Sequence, residues 1–86
     1  MKPAVSTAMI RRKIRTVLQI RPGFGKTEAF LLESVNELTG GGVSLDELRE
    51  AVEWNLGEAL IRGRYDEESE TKLWFITAAG IAKDNI

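Results

Sequence analysis

The first quarter of the chain places apolar and basic residues with the period of a helix. Over residues 6–20 the apolar side chains share one half of a helical wheel, and they are Met9, Ile10, Ile14, Val17, Leu18 and Ile20. Arg11, Arg12 and Arg15 fall on the other half. This pattern predicts an amphipathic helix over about 6–20, which ends before Pro22 because a residue preceding proline avoids the helical conformation.

A second helix is predicted over about 27–39. Thr27 is suited to cap its N-terminus, and Glu28 falls in the first turn, where the helix dipole favours an anion. The inward stripe consists of Leu31, Leu32, Val35 and Leu38. Three consecutive glycines at 40–42 end the helix, since glycine adopts the left-handed turn beyond a helix at the least cost.

The third helix, over about 44–57, has the strongest local signal in the chain. Ser44 and Glu47 form the S-x-x-E pattern of a capping box, and Val43 can pack on Leu48 as a hydrophobic staple. The residues expected to face the core are Leu45, Leu48, Val52 and Leu56.

Two strands are predicted after these helices, over about 60–65 and 72–77. Both segments are rich in branched and aromatic residues, and the segment between them, DEESET, is wholly polar, as the tip of a hairpin would be. No helix is predicted beyond residue 77. The fold class is therefore α+β, with three helices followed by a two-stranded hairpin in one domain spanning 1–86.

This order of elements resembles the winged-helix superfamily, and the segments that carry the resemblance are SLDELREAVEWNL and ALIRGRYDEESETKLWFITAAG. Thr77 and Gly80 match the Thr-x-x-Gly turn that commonly ends the second hairpin strand of that superfamily. The resemblance implies a small winged-helix domain that binds DNA or associates with it, as in transcription regulators.

The chain departs from the winged-helix pattern at two places. Ala59 stands where a glycine often precedes the apolar pair that opens the hairpin. The short strand usual between the first and second helices has no evident counterpart, unless Val43 supplies it and the helix count shifts by one. That register would leave no room for a third helix, so we favour the first.

Composition narrows the function classes. The chain has 86 residues, enough for a single core, and no cysteine or histidine, which removes the commonest metal ligand and the commonest general base. No apolar run approaches the ~20 residues that cross a bilayer. We expect a cytoplasmic protein that is not an enzyme, with no metal, no cofactor, no membrane partner and no small-molecule substrate.

Charge is distributed unevenly along the chain. Residues 1–27 contain seven basic and no acidic residues, whereas residues 28–86 contain five basic and thirteen acidic ones. Duplex DNA carries a phosphate charge every ~1.7 Å, so basic residues are the candidates for contacting it. We expect DNA contact through the basic first helix and the base of the hairpin. The nucleic-acid-binding candidates are Arg11, Arg12, Arg15, Arg21, Lys26, Arg62, Arg64 and Lys72.

The third helix is poorly suited to the major groove. Its outward positions Asp46, Glu47, Glu50 and Glu53 are acidic, and Arg49 is its one basic residue. The alternative function is therefore protein interaction or homodimerisation through Trp54, Glu47 and Glu50. In that interpretation Trp54 is an exposed anchor; otherwise it joins Trp74 in a minor cluster. The arginines of the first helix could also pair with the acidic face, within one molecule or across a dimer.

Two further segments have weak signals. RPGFGKT, residues 21–27, ends like a phosphate-binding loop, but Ile20 occupies the place of its first glycine, so we interpret it as a turn between helices. The acidic hairpin tip lacks the ligand spacing of a calcium loop and is expected to be solvated.

Overall fold

The computed structural model describes residues 5–85 and confirms the α+β order of helices followed by a hairpin. Residues 1–4 and 86 of the predicted domain lie outside the described residues. The elements are α1 (Thr7–Ile20), α2 (Glu28–Thr39), α3 (Leu45–Gly57), β1 (Ile61–Asp66), β2 (Thr71–Ile76) and α4 (Ala78–Asp84). The predicted count of three helices is wrong, because the seven residues after Thr77 form a fourth.

Side-chain caps begin all four of these helices. Ser6, Thr27, Ser44 and Thr77 each accept a hydrogen bond from the backbone N–H three residues later. The predicted capping box of α3 is complete, since the Glu47 carboxylate also accepts from the Ser44 N–H at 3.0 Å. The Thr-x-x-Gly pattern is thus the N-terminus of α4 as well as the end of the hairpin.

One core joins α1, α2, α3 and the inner face of the hairpin. Its fully buried side chains include Ile10, Ile14, Leu31 and Leu48. The helical wheels were wrong at the ends of helices, as Leu45 is 36% exposed and Ile20, Leu38 and Met9 are also exposed.

A single residue outside the two strands also pairs with the sheet, and the sequence did not indicate this pairing. Strands β1 and β2 pair antiparallel with Ile61 opposite Ile76. On the other side of β2, Lys26 exchanges two backbone hydrogen bonds with Trp74, of 3.0 and 2.8 Å. Lys26 therefore supplies the short strand between the first two helices, and the alternative that Val43 supplies it is wrong.

Helix α4 is held against α1 and α3 by a buried polar network. Arg15 is 4% exposed, and its guanidinium donates to both carboxylate oxygens of Asp84, at 2.9 and 3.1 Å. It also donates to the Asn55 side-chain oxygen at 3.0 Å, while the Asn55 amide donates to the Arg11 and Ala51 carbonyls. The prediction that Arg15 faces away from the core is wrong, because these partners satisfy its charge inside the fold.

Acid should weaken this attachment of α4. The hydrogen bond from Arg15 lowers the pKa of Asp84, and the charges of Arg15, Arg12 and Lys83 lower it further, against an opposing effect of burial. A depressed folded-state pKa gives stability that is complete above the unfolded value of about 3.9 and is lost as the pH falls through the folded value.

We therefore expect Asp84→Asn to reduce the loss of stability below about pH 4 relative to the unsubstituted chain. Urea unfolding at a series of pH values measures this dependence. Identical acid slopes for the two proteins would contradict it.

Candidate nucleic-acid interface

Two exposed arginines lie side by side on the outer face of the hairpin. Arg62 and Arg64 are two residues apart on β1, so both point to the same face of the sheet. Their guanidinium carbons lie 4.6 and 5.4 Å from the centroid of the Phe75 ring, and Phe75 is only 5% exposed. The ring thus supports two cationic groups that remain open to solvent.

The turn after α1 packs on the same aromatic ring. A Cβ at Gly25 would lie 2.6 Å from Cζ of Phe75 and 2.8 Å from Cβ of Leu73, so only glycine permits this approach. The Lys26 backbone bonds to Trp74 hold the turn beside β2. The segment that resembled part of a phosphate loop is therefore a turn tied to the hairpin through Lys26, and Thr27 caps α2 as predicted.

Lys72 lies on the opposite face of the hairpin from the two arginines. It is paired with Tyr65 in the register, and its ammonium nitrogen lies 4.7 Å from the Trp74 ring centroid. Trp74 itself packs into the core. The structure therefore does not bring Lys72 together with Arg62 and Arg64.

Arg21 and Lys26 form a second basic pair at the end of α1. The Arg21 guanidinium lies 5.1 Å from the Phe24 ring centroid, and the Lys26 ammonium lies 4.8 Å from that of Phe30. Both residues line a groove between α1 and α2. This pair belongs to a different surface from the arginines of β1.

The three arginines expected to share one face of α1 are separated. Arg11 lies over the Trp54 ring, 4.6 Å from its centroid, and Arg12 is exposed, whereas Arg15 is enclosed by its partners on α3 and α4. Trp54 is half-buried beneath Arg11, which neither interpretation of this residue anticipated.

The outward face of α3 remains acidic. Glu50 and Glu53 are exposed, and Glu47 is half-buried and engaged in the capping box. Arg49 forms a bidentate ion pair with Glu28 at 3.0 and 3.1 Å, and this hydrogen bonding raises the pKa of Arg49.

The alternative that α1 arginines pair with α3 acids within one molecule is not seen among the described residues. The ion pairs within 4.0 Å across residues 5–85 are Arg15 with Asp84 and Arg49 with Glu28. Pairing of the same groups across a dimer stays a prediction.

The hairpin tip is ordered by its own hydrogen bonds. The Asp66 carboxylate accepts from both the hydroxyl and the backbone N–H of Ser69. These bonds, led by the hydroxyl, lower the pKa of Asp66, so the tip stays anionic. In the described part of the chain no group of three or more acidic side chains is arranged to hold a metal ion.

Comparison with solved structures identifies the fold. The crystal structure of a transcriptional regulator of the MarR family from Silicibacter pomeroyi matches 91% of this chain with a TM-score of 0.68 and 22% sequence identity. This chain has a winged-helix fold. The match covers 46% of the regulator, so the chain corresponds to about half of that protein's length.

Comparisons of sequence give no closer assignment. No family model matches the sequence, and no curated protein matches it. Between residues 5 and 85, no helix is long and apolar enough to cross a membrane.

Proposed function

We propose that this domain is a binding module, similar to those of transcription regulators, that contacts the phosphates of duplex DNA through Arg62 and Arg64. The observation that carries the proposal is the pair of exposed guanidinium groups fixed over the buried ring of Phe75. The similar solved structure is that of a transcriptional regulator of the MarR family. This similarity supports the choice of DNA as the partner.

The geometry of the pair suits phosphate recognition. Two residues along a strand span about 7 Å, so the two guanidinium groups can engage separate phosphates. A guanidinium group that lies over an aromatic ring can still offer its N–H donors to anionic oxygens. The two backbone bonds between Lys26 and Trp74 tie the turn after α1 to β2, so the hairpin backbone is supported on that side.

The acidic surface of α3 argues for an unusual orientation on DNA. Glu50 and Glu53 would approach phosphates if α3 entered the major groove, and like charges repel. Docking through the hairpin face avoids this repulsion. Contacts of this kind fix position on the duplex without reading base sequence.

Substitution of both arginines tests the proposal. We expect Arg62→Gln/Arg64→Gln to weaken binding of a fluorescein-labelled duplex by about 10- to 100-fold near 0.1 M salt, because two phosphate contacts and their released counterions are lost. The slope of log affinity against log salt should fall by about 2. Fluorescence anisotropy titrations at several salt concentrations measure both quantities.

A matched control separates local contact from overall charge. Arg49→Gln/Lys83→Gln removes the same number of charges from exposed positions on α3 and α4, outside the hairpin. We expect it to retain most of the affinity and the salt slope. Equal losses in the two double variants, or no binding by the unsubstituted chain at low salt, would contradict the proposal.

A further inference from the structure

The surface between the end of α1 and the length of α2 holds an open apolar groove of about 190 Å³. We call it the α1–α2 groove. Three of its apolar residues are exposed, with Ile20 at 73%, Leu38 at 49% and Phe30 at 44%. Contiguous exposed apolar residues of this kind mark interaction surfaces more often than ordinary solvent-facing ones.

The α1–α2 groove is not the surface proposed to contact DNA. Arg62 and Arg64 lie on the outer face of the hairpin over Phe75, whereas the groove is lined by residues of α1, α2 and the turn between them. The groove and the arginine pair of the hairpin therefore share no lining residue.

Charge in the α1–α2 groove is arranged with opposite signs at its two ends. Arg21 and Lys26 form the basic end, and the Lys26 ammonium lies 4.8 Å from the Phe30 ring centroid. Glu37 lies seven residues further along α2 than Phe30, about 10 Å along the helix axis. The apolar residues lie between a basic and an acidic end.

Such a surface is complementary to itself under a two-fold rotation. A symmetric dimer places the same patch of both copies in contact, so a patch with one basic and one acidic end meets its partner with opposite charges opposed. A second copy of the chain supplies both the apolar residues and the matching charges.

We propose that the α1–α2 groove is the contact of a symmetric dimer of this chain. In this dimer Ile20, Phe30 and Leu38 form the apolar centre. Arg21 of each copy pairs with Glu37 of the other, and water is excluded from the groove.

Charge reversal with mixing tests both the surface and its symmetry. We expect Arg21→Glu and Glu37→Arg, each alone, to weaken self-association by more than about tenfold, because like charges are then opposed twice in each dimer. An equimolar mixture of the two variants should associate, since every contact between the two different chains is again of opposite sign. Sedimentation equilibrium and native mass spectrometry measure the homodimers and the mixed dimer.

A second pair of variants tests the apolar centre. Ile20→Ser should weaken the dimer, whereas Tyr65→Ser, which alters an aromatic residue 59% exposed on the hairpin, should leave it unchanged. Both residues are exposed, so neither change is expected to unfold the domain.

The proposal is overturned by a chain that stays monomeric from micromolar to near-millimolar concentration without DNA, which would leave the groove to another partner. It is also overturned by a mixture of the charge variants that fails to associate, or by equal effects of Ile20→Ser and Tyr65→Ser. If the unsubstituted chain forms the dimer but does not bind DNA, the result counts against the proposed function alone.

Discussion

Replacing Arg15 by leucine is expected to lower the free energy of unfolding by about 3 kcal/mol. The guanidinium satisfies the Asp84 carboxylate and the Asn55 side-chain oxygen at once, and Asn55 is fully buried. Leucine would leave all three oxygens without their donor, and an unpaired buried charge costs more than the pair itself contributes. Helix α4 would also lose its link to α1.

Urea unfolding followed by circular dichroism measures this effect, and Arg12→Leu is the matched control. Arg12 is exposed on the same helix, so its replacement should change stability by no more than about 0.5 kcal/mol. Arg15→Lys should recover only part of the loss, because one ammonium group cannot reach both Asp84 oxygens and the Asn55 side-chain oxygen in the same geometry. Equal unfolding midpoints for Arg15→Leu and Arg12→Leu would show that the network contributes nothing.

Gly80→Ala is expected to destabilise the domain by about 2 to 3 kcal/mol. A Cβ at this position would lie 2.1 Å from the Leu60 carbonyl oxygen and 2.7 Å from Cδ1 of Ile76. The carbonyl belongs to the backbone and already accepts from the Thr77 N–H at 3.1 Å, so it cannot move without loss of that bond. Helix α4 would be displaced from the hairpin base.

Gly57→Ala provides the matched control for this substitution. Gly57 ends α3, and a Cβ there meets nothing within 4 Å, so alanine should be neutral or stabilising by up to about 1 kcal/mol. Thermal and urea unfolding of both variants gives the comparison. Similar stabilities for Gly80→Ala and Gly57→Ala would contradict the close packing of α4 on the Leu60 backbone and on Ile76 of β2.

Local signals predicted most of the fold. The caps at Thr27 and Ser44 and the glycines after α2 act over a few residues, and the structure confirms each of them. Helix α4 was missed because seven residues are too few to show a period. The bridge at Lys26 was missed because one paired residue leaves no pattern in the sequence.

Long-range contacts explain the remaining differences. Arg15 lies beside Ile14 on the helix and was assigned to the polar side, yet its partner Asp84 is 69 residues away and could not be inferred from a wheel. Ile20 and Leu38 satisfy the helical period, but no other described element covers them. Burial depends on which elements pack together, and a single helix cannot specify this.

The candidate interface was also predicted only as far as local sequence signals allow. Arg62 and Arg64 could be named from charge and from their place at the hairpin base. Their support by Phe75 depends on the strand register and on the close approach of Gly25 to the ring. Neither contact can be derived from the sequence. Lys72 was named with them, but period-2 alternation in the actual register places it on the other face.

The most direct test of the account is to map the DNA contact by NMR. We predict that titration with a short duplex shifts the side-chain Nε–H signals of Arg62 and Arg64 and the ring signals of Phe75. The backbone signals of Glu50 and Glu53 on α3 should change little. The largest shifts on the outward face of α3, with the hairpin arginines unaffected, would contradict the proposal that this winged-helix domain meets DNA through its hairpin.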